Sequence, residues 1–471
     1  MVELRLQLER EANKQTSDED ELARLQEELG ARGADLEEIE RRLRAKNPGL
    51  AEIVAPESAS LADVKNALGP VEVLLWYVLG QQESFVWVIT REGASIVKLP
   101  ASVDIEARVK GLIGSLASGS KSLEFVPPAR ELYEMLLAKP LACCPEKGQL
   151  IIVPNGLLGF LPFEVLLGRE VPQEERQRGR LPYLLREKTI RYAPSPSLFV
   201  FLHRHRRPEG GWAKDLLLFG DPVYAGEARA TAAFANRASR SLLPESFSRL
   251  SKTRDEVKTL AESLVQDDES KLFLQLRDLK RSGCVSGKRF DLFVGEKASK
   301  SQLKGDLSRY RIVHLATHGY FDTRYPWFSG LVLSDVPDDL AGGFLSLSEI
   351  GELKLDADVV FLSACETAKG SLAHCEGILN TARYFLLAGA RSVVATQWDV
   401  LDYAAPIVAR VFYEHLFAGE APGEALREAK LALIDERADI RGARSLGEGA
   451  TNDAPSFSHP SVWAPFVIFG K

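Results

Sequence analysis

Two reactive side chains stand at the ends of apolar segments that predict buried strands. His318 ends the segment IVHLATH, and Cys365 ends the segment VVFLSAC. A thiol becomes a useful nucleophile as its thiolate, and a nearby imidazole helps it to ionise or accepts its proton. If the two strands are neighbours, the pattern indicates a Cys–His dyad for nucleophilic catalysis. The alternative is a buried cysteine that packs as a small apolar side chain, with an unrelated loop histidine.

Backbone groups beside the two side chains would complete such a site. The N–H groups of Gly319 and Cys365 could hold the oxyanion that forms when a carbonyl group is attacked. Gly319 suits this role because a residue without a Cβ lets a substrate approach the backbone. A helix that begins soon after Cys365 would add the positive end of its dipole.

Histidines and cysteines near the dyad also raise the question of a metal site. Zinc sites have recognisable ligand spacings, and the chain has neither Cys-x-x-Cys nor His-Glu-x-x-His. We therefore expect no metal ion. We interpret His314, inside an apolar strand, as a core histidine with satisfied hydrogen bonds, and Cys375 as a packing residue of a helix. The candidate ligands are His314, His318, Cys365, His374 and Cys375.

The segments that must position these residues alternate between strand and helix patterns. Continuous apolar runs such as IVHLA, VVFLSA and SVVAT predict strands that are buried on both faces, as parallel sheets require. Crossover handedness places the carboxyl ends of such strands at one edge of the sheet, where active sites form. Similar segments upstream, including LIIVPNG and LLLFGDPVY, complete an α/β protein.

The first 50 residues differ from the rest of the chain. Residues 1–46 are rich in Glu, Arg and Leu, with leucines at helical spacing. Gly30 and Gly33 predict a break between two helices, and Asn47-Pro48 predicts the end of the second. We expect a helical hairpin over residues 1–50, either a solvated hairpin packed on the body or a docking arm for a regulatory or activating protein.

The composition excludes several classes of protein. The 471 residues are 45% hydrophobic and carry a formal net charge of −7, which argues against direct binding of nucleic acid. No run approaches the roughly 18 apolar residues that span a bilayer, and the charged N-terminal sequence is no secretory signal. Five cysteines in so long a chain do not indicate a disulfide scaffold. We therefore expect a cytoplasmic protein without contact to a membrane.

Several motifs together resemble the CHAT domain, a family of caspase-like cysteine peptidases related to separase. The resemblance covers about residues 50–471, and the His-Gly and Ser-Ala-Cys motifs of the family fall on His318-Gly319 and Ser363-Ala364-Cys365. The segments that carry it are IVHLATHGYFD, GFLSLSEI, VVFLSACETAKG, EGILNTARYFLLAGARSVVATQWDV and HPSVWAPFVIFG.

The resemblance implies a caspase-like three-layer sandwich with a mostly parallel sheet. It also implies a non-catalytic half over residues 51–210, which supports an active protease half over residues 211–471. The first half ends its comparable strand in Pro154-Asn155-Gly156, without a His-Gly motif. His318 would act as the general base, Cys365 would form a thioester with a protein substrate, and no metal or organic cofactor would take part.

The segment RSVVATQWDVLD bears on specificity, because separase is similar there and has an acidic pocket for the P1 side chain. Asp399 or Asp402 could hold a P1 Arg or Lys by a charge-assisted pair, with Trp398 as a wall of the pocket. The alternative is that Asp402 caps the next helix. A preference for P1 Asp would instead require arginines, for which Arg383 and Arg391 are the candidates.

The residues and the resemblance together predict a regulated cysteine endopeptidase that cleaves proteins, with a basic P1 residue as the candidate specificity. The resemblance further implies a setting in bacterial signalling or defence. The alternative from a different class is a catalytically latent scaffold of the same fold that binds partners through the N-terminal helices. A peptide ligase is a third hypothesis, since an amine can attack a thioester in place of water.

Overall fold

The computed structural model forms two compact units, Met1–Ser58 and Ala59–Lys471. It describes residues 19–46, 58–117, 123–142, 148–177, 181–205, 210–224, 249–250, 252–265, 275–320, 329–334, 343–363, 365–366, 375–398, 400, 404–436 and 456–471. Within these residues, no helix combines the length and the apolar character that crossing a membrane requires.

Among its described residues, the N-terminal unit forms the helix α1 (Glu19–Lys46). The predicted break at Gly30 and Gly33 is wrong, because the helix passes through both glycines. Each glycine costs about 1 kcal/mol relative to alanine, while side-chain ion pairs one turn apart contribute a few tenths of a kcal/mol each. Such pairs lie on both sides of the glycines, and they are Glu21–Arg24, Glu28–Arg32, Glu38–Arg41 and Glu38–Arg42.

The second unit contains sixteen strands among the described residues. They are β1 (Glu72–Val78), β2 (Ser84–Ile89), β3 (Ala94–Leu99), β4 (Gln149–Val153), β5 (Thr189–Tyr192), β6 (Lys214–Gly220), β7 (Cys284–Ser286), β8 (Phe290–Val294), β9 (Tyr310–Leu315), β10 (His318–Tyr320), β11 (Gly330–Val332), β12 (Phe344–Ser346), β13 (Val359–Leu362), β14 (Cys365–Glu366), β15 (Ser392–Thr396) and β16 (Phe466–Gly470).

The helices of this unit alternate with the strands. They are α2 (Leu61–Ala67), α3 (Ser102–Ala117), α4 (Val126–Leu136), α5 (Ala138–Leu141), α6 (Gln173–Gln177), α7 (Pro196–Arg204), α8 (Lys252–Glu262), α9 (Leu279–Ser282), α10 (Lys300–Leu303), α11 (Leu347–Gly351), α12 (Cys375–Ala388), α13 (Ala404–Phe417), α14 (Pro422–Ile434) and α15 (Pro460–Trp463). Short 3₁₀ turns lie at Gly156–Phe160, Phe163–Val165, Leu184–Arg186 and Gly295–Lys297.

Twelve strands form one sheet in the order β3-β2-β1-β4-β5-β16-β15-β13-β9-β6-β8-β7. β1, β4 and β5 are parallel to one another, and so are β15, β13, β9, β6 and β8. The last strand, β16, runs parallel to β5 and antiparallel to β15. The sheet therefore consists of two mostly parallel blocks that run in opposite directions and meet at β16.

Helices cover the sheet on both faces. Leu75 and Tyr77 of β1 point into a core that they share with α3 and α4, whereas Leu74 points into a second core with α2 and α7. In the second block, every residue of β13 and β15 is buried, as their continuous apolar runs require. The predicted α/β class, with a mostly parallel sheet between helical layers, is confirmed.

Helix α14 connects the second block to the first. The ammonium group of Lys430 lies 2.8 Å from Oε1 of Glu164, whose Oε2 accepts a 2.6 Å hydrogen bond from Tyr192 of β5. Thr189 of β5 donates to Glu424 of the same helix over 2.7 Å. Both blocks thus lie in one compact unit, and the division at residue 210 stays a prediction.

Candidate active site

His318 and Cys365 follow the carboxyl ends of β9 and β13 and lie at paired positions of neighbouring strands. β13 lies beside β9, with Leu362 opposite Leu315. Each strand continues, after a short break, into a four-stranded sheet of order β12-β11-β10-β14, in which His318 of β10 pairs in parallel with Cys365 of β14. Neighbouring strands lie about 4.8 Å apart, so the two backbones are adjacent. Of Cys365 the structure describes the backbone.

The imidazole of His318 is buried against an aromatic side chain. Its ring centre lies 5.2 Å from that of Tyr224, with 41° between the planes. The hydroxyl of Tyr224 lies 3.3 Å from Oγ1 of Thr317 and accepts a hydrogen bond from the His318 backbone N–H. Burial raises the pKa of Tyr224, while these hydrogen bonds oppose the shift. The phenol therefore stays neutral and fixes one face of the histidine ring.

Sequence reasoning missed Tyr224, although the segment LLLFGDPVY contains it. The segment forms β6, which lies beside β9 in the sheet, so residues after β6 reach the same edge as His318. Only the strand order reveals this adjacency, because β6 is separated from β9 by β7 and β8 in the chain.

The loop that carries Tyr224 is anchored by a buried aspartate. Asp221 is fully buried and has a left-handed φ of 48°, a conformation that costs about 1–2 kcal/mol for a residue with a side chain. Its carboxylate binds the guanidinium groups of Arg249, over 2.8 and 3.1 Å, and of Arg254. Val223 donates its backbone N–H to Ser334 over 2.9 Å. These contacts fix the backbone on which Tyr224 stands.

Beneath the paired residues lies a second group of buried polar side chains. His314 is stacked on Phe361, with ring centres 5.1 Å apart, and its Nδ1 lies 2.7 Å from the hydroxyl of Tyr413. Its Nε2 lies 3.3 Å from Oε1 of Glu256. Ser363 donates its hydroxyl to Oε2 of the same glutamate over 3.3 Å. His314 is thus a core histidine with one satisfied nitrogen, and the sequence did not indicate Glu256.

Gly319 and Trp398 have defined places. Gly319 lies in β10, between Leu331 of β11 and Glu366 of β14. Trp398 follows β15, is half-buried, and donates its indole N–H to the carbonyl of Ser461 over 3.4 Å. The roles of Gly319 in an oxyanion hole and of Trp398 in a pocket stay predictions.

The two predicted acidic residues of the pocket, Asp399 and Asp402, lie outside the described residues, and so does His374. Arg391 stands before β15, at the sheet edge opposite the ends of β9 and β13. There it pairs with Asp356 over 3.0 Å, so it cannot contact a substrate at the dyad.

No group of three or more His, Cys, Asp or Glu side chains that could hold a metal ion occurs in the described part of the chain. Nothing in the described residues therefore assigns a metal to this edge of the sheet.

Known proteins resemble this chain in sequence and in structure. The family model of the CHAT domain matches residues 126–471. Tetratricopeptide repeat protein 28 of Mus musculus is 23% identical over 393 residues, 73% of this chain and 13% of that protein. The same protein of Homo sapiens is 25% identical over 215 residues, 38% of this chain and 8% of that protein. The chain thus spans a small part of these relatives.

Among solved structures, two crystal structures of the separase–securin complex of Saccharomyces cerevisiae, at 3.0 and 2.6 Å resolution, are similar to this chain. The sequence identities are 10% and 11%, and the TM-score is 0.44 for both. In each case the similarity covers 86% of this chain and 30% of the other chain.

Proposed function

The chain belongs to the CHAT domain family of caspase-like proteins, and from this premise we propose that it is a regulated cysteine endopeptidase that cleaves proteins. His318 and Cys365 form its catalytic dyad. The observation that carries the proposal is the parallel pairing of these two residues, which begin β10 and β14 just beyond the carboxyl ends of β9 and β13. The family contributes the class of reaction, and the pairing supports the two residues that perform it.

The reaction proceeds through a thioester. His318 takes the thiol proton of Cys365, and the thiolate attacks the carbonyl carbon of the peptide bond, which forms a C–S bond and an oxyanion. His318 gives the proton to the leaving amine as the C–N bond breaks. It then takes a proton from water, which attacks the thioester. The C–S bond breaks, the acid product leaves, and the protonated His318 restores the thiol.

Two features of the site favour this chemistry. Gly319 and Cys365 lie on adjacent strands, and their backbone N–H groups would donate hydrogen bonds to the oxyanion that forms in the transition state. Tyr224 covers the imidazole of His318 and keeps its plane fixed, which lowers the cost of orienting the base.

The proposed specificity is for a basic P1 side chain. Asp399 or Asp402, which follow β15, would supply the charge partner, and Trp398 would form a wall of the pocket. The alternative role of Asp402 as the cap of α13 predicts that its replacement leaves the P1 preference unchanged and lowers stability instead.

The first half supports the second without taking part in the chemistry. The carbonyl of Gly159, in the turn after β4, accepts a 2.9 Å hydrogen bond from Gln397, immediately before Trp398. The turn Gly156–Phe160 thus contacts the segment that would carry the specificity pocket. This contact agrees with a non-catalytic half that holds the active half in shape.

The proposed setting is regulated cleavage in the cytoplasm, in bacterial signalling or defence. The N-terminal unit would receive a regulatory protein, since α1 exposes charged side chains together with Ile39, which is 61% exposed.

Cleavage of a diverse peptide library, with products identified by mass, tests the proposed activity. We expect cuts with the wild type and none with Cys365→Ala. The matched control is Cys284→Ala, which removes the exposed free cysteine of β7 and should cleave as the wild type does. Product masses also distinguish hydrolysis from ligation, because a ligase joins peptides instead of adding water.

If the wild type cleaves no peptide, an electrophilic peptide probe distinguishes a latent peptidase from a scaffold. Labelling at Cys365 that requires His318 would support a competent but latent peptidase that needs its activating partner. A folded protein whose Cys365 takes no probe would contradict the proposal and leave the scaffold hypothesis.

A further inference from the structure

Three buried polar side chains beneath the dyad take no part in the proposed mechanism. Glu256 of α8 is 3% exposed, His314 of β9 is 0% exposed, and Ser363 after β13 is 7% exposed. The carboxylate of Glu256 contacts the other two, Ser363 by a hydrogen bond and His314 at ion-pair distance, each over 3.3 Å. One helical residue therefore contacts both strands that lead to the dyad.

The positions of these contacts along the chain are significant. Ser363 stands two residues before Cys365, and its backbone N–H donates to the carbonyl of Leu315 on the neighbouring strand. His314 stands four residues before His318 and adjoins Leu315. Glu256 thus bridges the two strands near their carboxyl ends, just before the chain crosses from β9 and β13 into the small sheet that carries the proposed dyad.

The environment of Glu256 is unusual for a buried carboxylate. No Lys or Arg in the described part of the chain forms an ion pair with it, and its Oε1 has no hydrogen-bond partner there. Nε2 of His314, 3.3 Å away, has none either. A buried polar atom without a hydrogen bond costs about 1–3 kcal/mol, so the pair is not explained by stability alone.

We propose that Glu256 is a positioning residue, which bridges Ser363 and His314 so that Cys365 and His318 stay aligned at the ends of their strands. The inference rests on the proposed peptidase function and deepens it. A displacement of about 1 Å in a reacting group can cost about 100-fold in rate. A carboxylate that contacts both strands at once opposes such a displacement, whereas an apolar side chain of the same size would pack without fixing either strand.

The buried pair Glu164–Lys430 provides a matched control. Both residues are 1% exposed, and Glu164 also contacts a tyrosine, as the Glu256 network does through His314 and Tyr413. The control pair joins α14 to the turn Phe163–Val165, and neither residue stands on a strand that leads to the dyad. Its loss should change stability without moving the reactive side chains.

The experiment compares the full chain with Glu256→Gln, Ser363→Ala and Glu164→Gln. It measures the alkylation rate of Cys365 by iodoacetamide, mapped by mass spectrometry with Cys284 as the internal reference, together with kcat, KM and the unfolding temperature. For Glu256→Gln we expect alkylation of Cys365 and kcat to fall about 10- to 100-fold, with KM within about twofold. Glu164→Gln should lower the unfolding temperature and leave kcat and alkylation near the wild-type values.

Equal losses of kcat in the two glutamate variants would overturn the inference, because the effect would then follow stability. If Glu256→Gln fails to fold, Ser363→Ala provides the test, because it removes a single hydroxyl group. A drop of at least about threefold in the alkylation rate of Cys365 in that variant supports the positioning role of Glu256. An unchanged alkylation rate overturns it. A wild type whose Cys365 reacts no faster than Cys284 overturns the proposed dyad itself. A reactive Cys365 that neither variant affects overturns the positioning role alone.

Discussion

The two blocks of the large sheet end their central strands in different ways. In the first block, β4 ends at Pro154-Asn155-Gly156, and the side chain of Asn155 accepts a hydrogen bond from the backbone N–H of Leu79 over 3.1 Å. In the second block, β9 and β13 continue into the small sheet and place His318 beside Cys365. The same architecture thus yields a closed turn in one block and the two paired residues of the proposed dyad in the other, as expected where function depends on the residues at the strand ends and not on the fold.

The two blocks also differ in the partners that they provide for a buried carboxylate. Glu164 has an ammonium partner, Lys430, and accepts a hydrogen bond from Tyr192. Glu256 has a serine hydroxyl and the imidazole of His314. The carboxylate of Glu164 is thus fully paired, as expected for a residue that stabilises the packing of a helix against a turn. The arrangement around Glu256 leaves buried polar atoms without hydrogen bonds, close to the residues whose geometry the proposed chemistry requires.

The largest expected effect tests the strand ends directly. Cys365→Ala and His318→Ala should each lower kcat/KM by at least about 1,000-fold, because removing a member of a catalytic pair removes the covalent route. Asn155→Ala, at the corresponding strand end of the first block, should cost about 1 kcal/mol of stability and leave the kcat of the folded protein unchanged. Activity is followed with the best peptide of the library, and stability by urea unfolding. A large loss of kcat in Asn155→Ala would remove the distinction between the blocks.

The second effect concerns the paired carboxylate of the first block. Burial lowers the pKa of Lys430, and Glu164 opposes the shift, so the charged pair depends on both partners. Glu164→Ala should destabilise the protein by about 3–5 kcal/mol, because it leaves a buried charge without compensation. Replacing both residues, by Leu and Met, should recover most of this loss. Urea unfolding of the two variants measures the difference, and equal losses would show that the pair is not coupled.

The third effect concerns the aromatic cover of the proposed base. Tyr224→Ala should lower kcat about 10-fold, since His318 loses the ring that fixes its plane. Tyr224→Phe keeps the ring and loses only the hydroxyl contacts with Thr317 and the His318 backbone, so we expect kcat within about threefold of the wild type. Steady-state kinetics at constant temperature provide the comparison. A Phe variant as impaired as the Ala variant would assign the effect to the hydroxyl instead of the ring.

Much of the fold could be predicted because local patterns determine it. The apolar runs of β9, β13 and β15 identified strands buried on both faces, and the structure has them as neighbours. The central place of β16 could not be predicted, because a strand at the end of the chain pairs with β5 and β15 through contacts that no local pattern records. The break predicted in α1 was wrong because intrinsic glycine propensity is a weak determinant in a helix with many ion pairs.

The candidate site was predictable in part, for a related reason. His318 and Cys365 stand at the ends of strongly apolar strands, so the sequence alone indicated that they share an edge. The place of Tyr224 in the site could be recognised only from the strand order, which brings β6 beside β9. The burial of Glu256 could be recognised only from the packing of α8 against the sheet. An acidic residue on a helix is usually solvated, so the sequence gives no sign that it is buried. Contacts between distant segments are thus what the sequence did not reveal.

The smallest expected effect concerns the small sheet, which extends the second block and carries both residues of the proposed dyad. Ser346, the last residue of β12, caps α11. Glu349 of that helix accepts a hydrogen bond from the Ser346 backbone N–H and pairs with Lys300 over 2.7 Å and with Lys304 over 2.9 Å. Burial raises the pKa of Glu349, but the hydrogen bonds from the two lysines and from the Ser346 backbone outweigh it and lower the pKa to about 2.

A lowered pKa in the folded state means that the charged Glu349 stabilises the protein above its unfolded pKa. This contribution is lost as the pH falls from about 5 towards 2. Because Lys304 is half-exposed and its charge is screened, while Lys300 is buried, we expect a loss of about 1 kcal/mol. In Glu349→Gln, which cannot titrate, the free energy of unfolding should fall less between pH 6 and pH 3 than in the wild type. Hydrogen exchange should place the acid-induced opening in β11 and β12, and an opening confined to the first block would show that acid acts elsewhere than on the sheet that holds the dyad.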